Sequence, residues 1–481
     1  MTTWGKQAIG LWIGLVGSFA LSAQTHERSS PGSSAIAMET VDSVVRRLMD
    51  TAGVTGLSIG VIHAGEVQGV RAYGYGYKNQ GQLNDTSTFF YAASLAKPLF
   101  AFLAMQLVDE GTLDLDRPLH EYLPQPLPTY REYQDLQDDD RWKSITARHC
   151  LDHTTGFPNW RQLNPDGSQK LKIFFTPGSR YAYSGEGMYL LQFVVEKITG
   201  QTLEELAQQK VFKPFGMGNS SFVWQERFES KHAAGHDHDE NVLTIIKREE
   251  ANAAGSMVTT IADYTRFFSA FLKGRGVTAQ SRQDMLSPQI RIVSERQFPT
   301  LASDTTDRYA SISLSYGLGW GLFDTPKGPA FFKEGHSDDG WEHYTIGFPD
   351  NGDGFVILSN SLNGESIYKE LVECLAGITI PWEWEGYIPY RPTIRVAEAT
   401  LRKYVGHYTG ALAVNISLEN GQLKVEAPAE GLPKTNLYPA TETRYFIKSM
   451  PLDVEFVEVS DGSVIKLTIS AGDERYELTK G

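Results

Sequence analysis

Ser94 and Lys97 stand three residues apart at the head of an apolar run, Pro98 to Val108. One helical turn places both side chains on the same face. Serine is a weak nucleophile until a base takes its proton, and an amine can do so once burial or a neighbouring cation lowers its pKa. The pair therefore suits acyl transfer. Proline is tolerated only in the first helical turn, so Pro98 sets the helix start close to Ser94 and puts its hydroxyl at the positive end of the helix dipole. The run is too apolar for a surface helix, which predicts a buried one ending near Gly111.

Other spacings in the chain lack this context. Ser366 with Lys369 and Ser463 with Lys466 repeat the pattern without an apolar helix behind it, and the second lies in an alternating stretch where a strand would send the two side chains to opposite faces. No Gly-x-Ser-x-Gly elbow occurs, since Gly335-His336-Ser337-Asp338-Asp339 fails at its last position. His232, His236 and His238 with Asp237, Asp239 and Glu240 carry the right atoms for a metal but no helical His-Glu-x-x-His spacing, so they read as a solvated loop and no metal is assigned. Cys150 and Cys374 are too few for a disulfide framework and read as buried free thiols.

The 481 residues exceed what one core usually organises. With 41% hydrophobic residues, 45 Gly, 22 Tyr and 24 Phe, they describe a folded protein rich in turns. A formal net charge of −14 and the lack of a basic run argue against nucleic acid as a partner. Residues 1–23 carry Lys6, an apolar run from Ala8 to Leu21 and small residues before Gln24, the pattern of a secretory signal peptide. The expected location is periplasmic or secreted, with no stable membrane anchor after cleavage. The Ser-rich residues 24–37 read as a flexible lead.

The elements that must position Ser94 follow in order. An amphipathic helix is predicted from Met38, then two strands, Gly56 to His63 and Gly65 to Val70, joined by a short turn. Ser144 to Gly156 reads as a helix ending on a turn. Pro177 to Gly185 is a loop leading into a buried helix capped by Gly200, which places Tyr183 and Ser184 at a junction able to face a cleft. After the Pro- and Trp-rich connector Pro381 to Pro392, short alternating runs with Asn420-Gly421 and Asp461-Gly462 signal hairpins.

Ser94-Leu95-Ala96-Lys97-Pro98, Leu151-Asp152-His153-Thr154-Thr155-Gly156, Tyr183-Ser184-Gly185, Phe215-Gly216-Met217, Ala254-Gly255-Ser256-Met257, Tyr316-Gly317-Leu318-Gly319-Trp320 and Gly335-His336-Ser337 follow one another in an order that resembles class C β-lactamases with their esterase and D-amino acid peptidase relatives. The resemblance runs from about Met38 to about Ile380. It implies an α+β catalytic domain over 38–385, with a helical lobe and an antiparallel sheet flanked by helices, then a linker over 386–398 and a small all-β domain, open or barrel-like, over 399–481.

By the same resemblance Ser94 is the nucleophile, Lys97 the proton acceptor and electrostatic partner, and Tyr183 the phenol that passes the proton to the leaving group. Which of Lys97 and Tyr183 is the primary base stays open. The oxyanion donors implied are the N–H of Ser94 and one from the strand of His336, Ser337 and Asp338, at Asp339. Two departures bear on the substrate: Gly185 stands where the family usually has Asn, and His336-Ser337-Asp338 where it has Lys-Thr-Gly or His-Thr-Gly. A titratable histidine followed by acidic residues should make the local field less positive and disfavour substrate carboxylates. The expectation is a serine hydrolase acting on a small ester, amide or peptide without a cofactor. A β-lactamase or D-Ala peptidase, and a catalytically weak binding protein on the same fold, are the alternatives.

Overall fold

The computed structural model describes residues 35–458, 464–472 and 474–481. The expected signal peptide, most of the lead that follows it and the Asp461-Gly462 turn lie outside the described residues. Among those residues no helix is long and apolar enough to cross a membrane.

Nine antiparallel strands form the central sheet: β1 (Gly56–His63), β2 (Glu66–Tyr77), β3 (Gln82–Leu83), β4 (Ile290–Arg291), β5 (Ser315–Tyr316), β6 (Gly321–Thr325), β7 (Gly328–Ser337), β8 (Trp341–Phe348) and β9 (Asp353–Ser359). Their order is β3-β2-β1-β9-β8-β7-β6-β5-β4. Pairing of β1 with β9, Leu57 opposite Ser359, joins the first and last strands of this sheet in chain order within its interior. Both faces are covered, and the period of two shows it. Phe355 and Ile357 share a core with Val41, Val45 and Leu48 of α1 (Met38–Ala52), whereas Val356 and Leu358 belong to the core on the other face.

That other core encloses α2 (Ala96–Asp109), on which Leu99, Phe100 and Leu103 are fully buried, each contributing on the order of 2 kcal/mol relative to exposure. Around it lie α3 (Gly185–Thr199) and α4 (Ile261–Leu272). A further helix, α5 (Tyr368–Ala376), places Leu371 and Val372 in the core with α1. The fold is the expected α+β arrangement, with Ser94 where the buried lobe meets the edge of β7.

Residues beyond Val396 build a third core. Nine more strands, β10 (Gly406–Gly410), β11 (Ala413–Glu419), β12 (Gln422–Ala427), β13 (Leu432–Asn436), β14 (Tyr438–Pro439), β15 (Arg444–Phe446), β16 (Leu452–Glu458), β17 (Val464–Ala471) and β18 (Glu474–Lys480), run in the order β13-β12-β11-β10-β18-β17-β16-β15-β14. The two end strands are consecutive in the chain, separated only by Leu437, so the sheet is a nearly closed barrel. Positive φ at Asn420 and Gly421, 52° and 77°, gives the tight turn that their sequence announced. Tyr404 stacks on Phe456 at 4.1 Å and plugs the barrel. The connector Pro381 to Pro392 does more than span: Trp384 and Tyr387 are buried in the core shared with α1.

Two expectations are corrected here. Cys150 is a buried free thiol, but Cys374 is exposed, within 3.9 Å of an Arg47 nitrogen. The histidine cluster is not a solvated loop: His232 and His236 are buried, with the His236 ring 3.0 Å from the Asn360 carbonyl and that of His238 3.0 Å from Asn363 Oδ1. The His236 and His238 rings face separate partners, and the His232 nitrogens have no hydrogen-bond partner among the described residues.

Candidate active site

A short ladder between Phe90–Tyr91 and Val258–Thr259 brings the approach to Ser94 alongside the Ala254 turn. Ala93 adopts a left-handed φ of 46°, a strained conformation for a residue with a Cβ, as the first residue of a 3-10 turn that continues into α2. The Tyr264 hydroxyl donates to Leu95 O at 3.0 Å and braces that turn. Ser94 opens into a cleft of about 1000 Å³ with Lys97, Tyr183, His336, Ser337 and Asp338 on its walls.

Lys97 is buried at 1% exposure, its Nζ 2.9 Å from Ser94 Oγ and donating to Ala254 O at 2.6 Å. Burial holds its pKa well below the usual lysine range, and the nearby Lys333 ammonium pushes the same way, against Glu334. A neutral amine that spends one N–H on Ala254 keeps its lone pair for the serine proton.

Tyr183 is 3% exposed and its ring centroid lies 4.9 Å from Lys97 Nζ and 4.6 Å from Lys333 Nζ. Burial and the Glu334 carboxylate hold its hydroxyl protonated, with Ser94 pulling the other way. His153 packs against this ring at 4.5 Å and accepts the Ser184 N–H at 3.2 Å; burial, followed by Lys97 and Lys333, keeps it neutral. Ser184 then caps α3, its hydroxyl accepting from Gly187 N at 2.9 Å.

The opposite wall is charged. His336 Nδ1 lies 2.7 Å from Glu342 Oε1 and Nε2 3.1 Å from Asp338 Oδ1. A carboxyl group at each nitrogen favours the imidazolium, although burial raises the Glu342 carboxyl itself to about 7. Burial opposes that charge, but Glu342 and Asp338 outweigh it and push the pKa up to about 11. The titratable, weakly positive histidine expected from sequence is thus a fixed cation, compensated by two carboxylates. Glu365 approaches the same cluster, the three ligand-type atoms of His336, Glu342 and Glu365 lying within 4.8 Å of one another. Burial raises the Glu365 carboxyl to about 8.

Asp338 points its carboxylate out to solvent and to His336. Asp339 turns inward, paired with Arg248 at 3.1 Å and accepting from the Ser337 hydroxyl, while Arg248 lies 3.4 Å over the Tyr91 ring. Among the described residues the backbone N–H groups of Asp338 and Asp339 donate to no protein acceptor.

Gly185 sits in the wall without a side chain for a steric reason: a Cβ there would collide with Cη2 and Cζ3 of Trp160 and stand 3.0 Å from Asn159 O. The alternative pair Ser366 and Lys369 does not assemble. Ser366 donates to Asn363 O at 2.7 Å and Lys369 pairs with Glu373 at 2.7 Å, while Ser463 is outside the described residues.

Sequence reasoning missed Trp160, Arg248, Lys333, Glu334 and Glu342. Glu342 was within reach: the Asp338-Asp339-Gly340 turn pairs Ser337 with Trp341, and the next pair out is His336 with Glu342. Lys333 and Glu334, bonded to each other, had no local signal, because their partners Tyr183 and Gln297 come from distant loops.

The family model described as Beta-lactamase matches residues 41–371. A penicillin-binding protein of Bacillus subtilis (strain 168) is 23% identical over 449 residues, 85% of this chain and 92% of its own. Esterase EstB of Burkholderia gladioli is 28% identical over 210 residues, 39% of this chain and 52% of its own. Among solved structures, a penicillin-binding protein homologue from Pyrococcus abyssi superposes with a TM-score of 0.58 at 19% identity, covering 92% of this chain and all of that one. The order of landmarks, the fold and a match across most of the catalytic half agree: the chain belongs to the β-lactamase family.

Proposed function

We propose that the chain is a serine hydrolase that cleaves an ester or amide through an acyl-Ser94 intermediate. Ser94 Oγ attacks the carbonyl carbon as its proton passes to the Lys97 amine, the developing oxyanion is met by N–H groups of Ser94 and Asp339, and Tyr183 relays the proton to the departing oxygen or nitrogen. Water then attacks the acyl carbon by the same proton route and frees Ser94. The observation that carries this reading is the buried Lys97 Nζ 2.9 Å from Ser94 Oγ.

The test is intact-protein mass spectrometry after a fluorophosphonate, with hydrolysis of an activated ester measured alongside. One phosphonyl adduct on Ser94 is expected, with loss of both adduct and turnover, by several orders of magnitude, in Ser94→Ala. Full hydrolysis by that variant would sink the assignment.

A second reading, action on β-lactams or on peptides ending in a carboxylate, is favoured by one feature. The His336 imidazolium is a cation on the cleft wall, in the place where the family's Lys-Thr-Gly carries its lysine.

A further inference from the structure

Three features of the cleft wall next to Tyr183 belong together. The Trp160 indole fills the volume that any side chain at 185 would take, so the wall offers a flat aromatic ring where a residue larger than glycine would offer its own groups. The ring is fixed in place: Gly185 N and Glu186 N both donate to Asn159 O, at 3.1 and 3.2 Å, and the Tyr189 ring lies 5.4 Å from the indole. Two large apolar side chains at the rim, Phe298 and Leu163, are left 46% and 62% exposed although they line the same cleft.

Aromatic surface held rigid beside a nucleophile binds planar apolar groups through burial and ring packing, with little entropy to lose on its own side. Next to it, the Asn159 Oδ1 accepts from Gly185 N at 3.1 Å, while its Nδ2 donates to no protein acceptor among the described residues. That amide is available to a substrate oxygen near the ring.

We infer that the Trp160 indole, flanked by Asn159, Phe298 and Leu163, is a specificity platform, and that the preferred substrates carry a planar aromatic or bulky apolar group rather than a small acyl and a small alcohol. The inference rests on the hydrolase reading above and narrows its substrate class. The group can enter on the acyl side or the leaving-group side, and the assay separates the two.

The experiment compares p-nitrophenyl phenylacetate with p-nitrophenyl acetate, and phenyl acetate with methyl acetate, in wild type, Trp160→Ala and Trp160→Phe. Trp160→Ala should lower the phenylacetate-to-acetate ratio of kcat/KM about tenfold if the ring lies on the acyl side, or the phenyl-to-methyl ratio if on the alcohol side, because a lost apolar contact of this size is worth one to two orders of magnitude. Trp160→Phe should recover most of it. Both ratios unchanged in Trp160→Ala would overturn the inference.

Should Trp160→Ala fail to fold, Trp160→Leu applies the same ratio test, since it keeps an apolar side chain but loses the planar ring. Calorimetry on Ser94→Ala, which tests binding without turnover, separates the two claims. Methyl phenylacetate should bind at least about tenfold tighter than methyl acetate there, and lose that margin in Ser94→Ala/Trp160→Ala. Equal affinities would refute the platform even if hydrolysis were confirmed, whereas tight phenyl binding without Ser94 chemistry would refute the hydrolase reading alone.

Discussion

On one wall of the cleft Lys97, Tyr183 and His153 are 1 to 3% exposed, and burial drives each toward its neutral form. On the other, the His336 side chain is 53% exposed and bound to two carboxylates that hold it charged. The same residue types would behave differently if exchanged between the walls. A lysine in the exposed wall would be a permanent cation and useless as a base; a histidine in the buried wall, as His153 shows, loses its charge. In the proposed mechanism, chemistry falls to the dry side and charge recognition to the wet side.

The largest effect expected is on the dry side. Lys97→Met removes the proton acceptor while leaving the apolar packing, and kcat/KM for an activated ester should fall about 100-fold or more. Steady-state kinetics on the purified variant measures it; a loss of less than about threefold would mean that Tyr183 serves as base without Lys97.

On the wet side the effect should be smaller and selective. With Asp338 gone, the His336 cation keeps Glu342 but no longer shares its charge with an exposed carboxylate in the cleft. Asp338→Gly should therefore raise turnover of a cephalosporin or other carboxylate-bearing substrate about tenfold relative to a neutral ester. Equal change on both substrates would show that Asp338 exerts no charge selection, and the walls would then not divide the work as described.

The subtlest test uses pH. A base must be neutral, so activity falls as pH drops through the depressed pKa of Lys97. Lys333 lowers that pKa and Glu334 raises it, after burial. Lys333→Met should move the acid limb of kcat/KM to higher pH, and Glu334→Gln should move it to lower pH. Shifts of the same sign, or none, in the two pH profiles would remove both residues from the tuning of the site.

Local pattern made much of this protein legible. Pro98 and the apolar run fixed where α2 starts, because helix geometry and proline's missing N–H act over one turn; Ser184 and Gly200 bounded α3 for similar reasons, and Asn420-Gly421 marked a hairpin. These are interactions among near neighbours in sequence, and no fold is needed to evaluate them. The ordered landmarks extended this to Ser94, Lys97 and Tyr183, which the structure brings into one cleft.

What tertiary structure alone decided involves charge and space between distant segments. Lys333 reaches Tyr183 across 150 positions, and the departure at Gly185 has its cause in Trp160, which lies 25 residues earlier and occupies the missing side chain's place. The hairpin register could have paired His336 with Glu342, but only the fold buries Glu342 and sets it 2.7 Å from the ring. A side chain's protonation and the room around it depend on burial and through-space partners, and both come into being only when the chain folds.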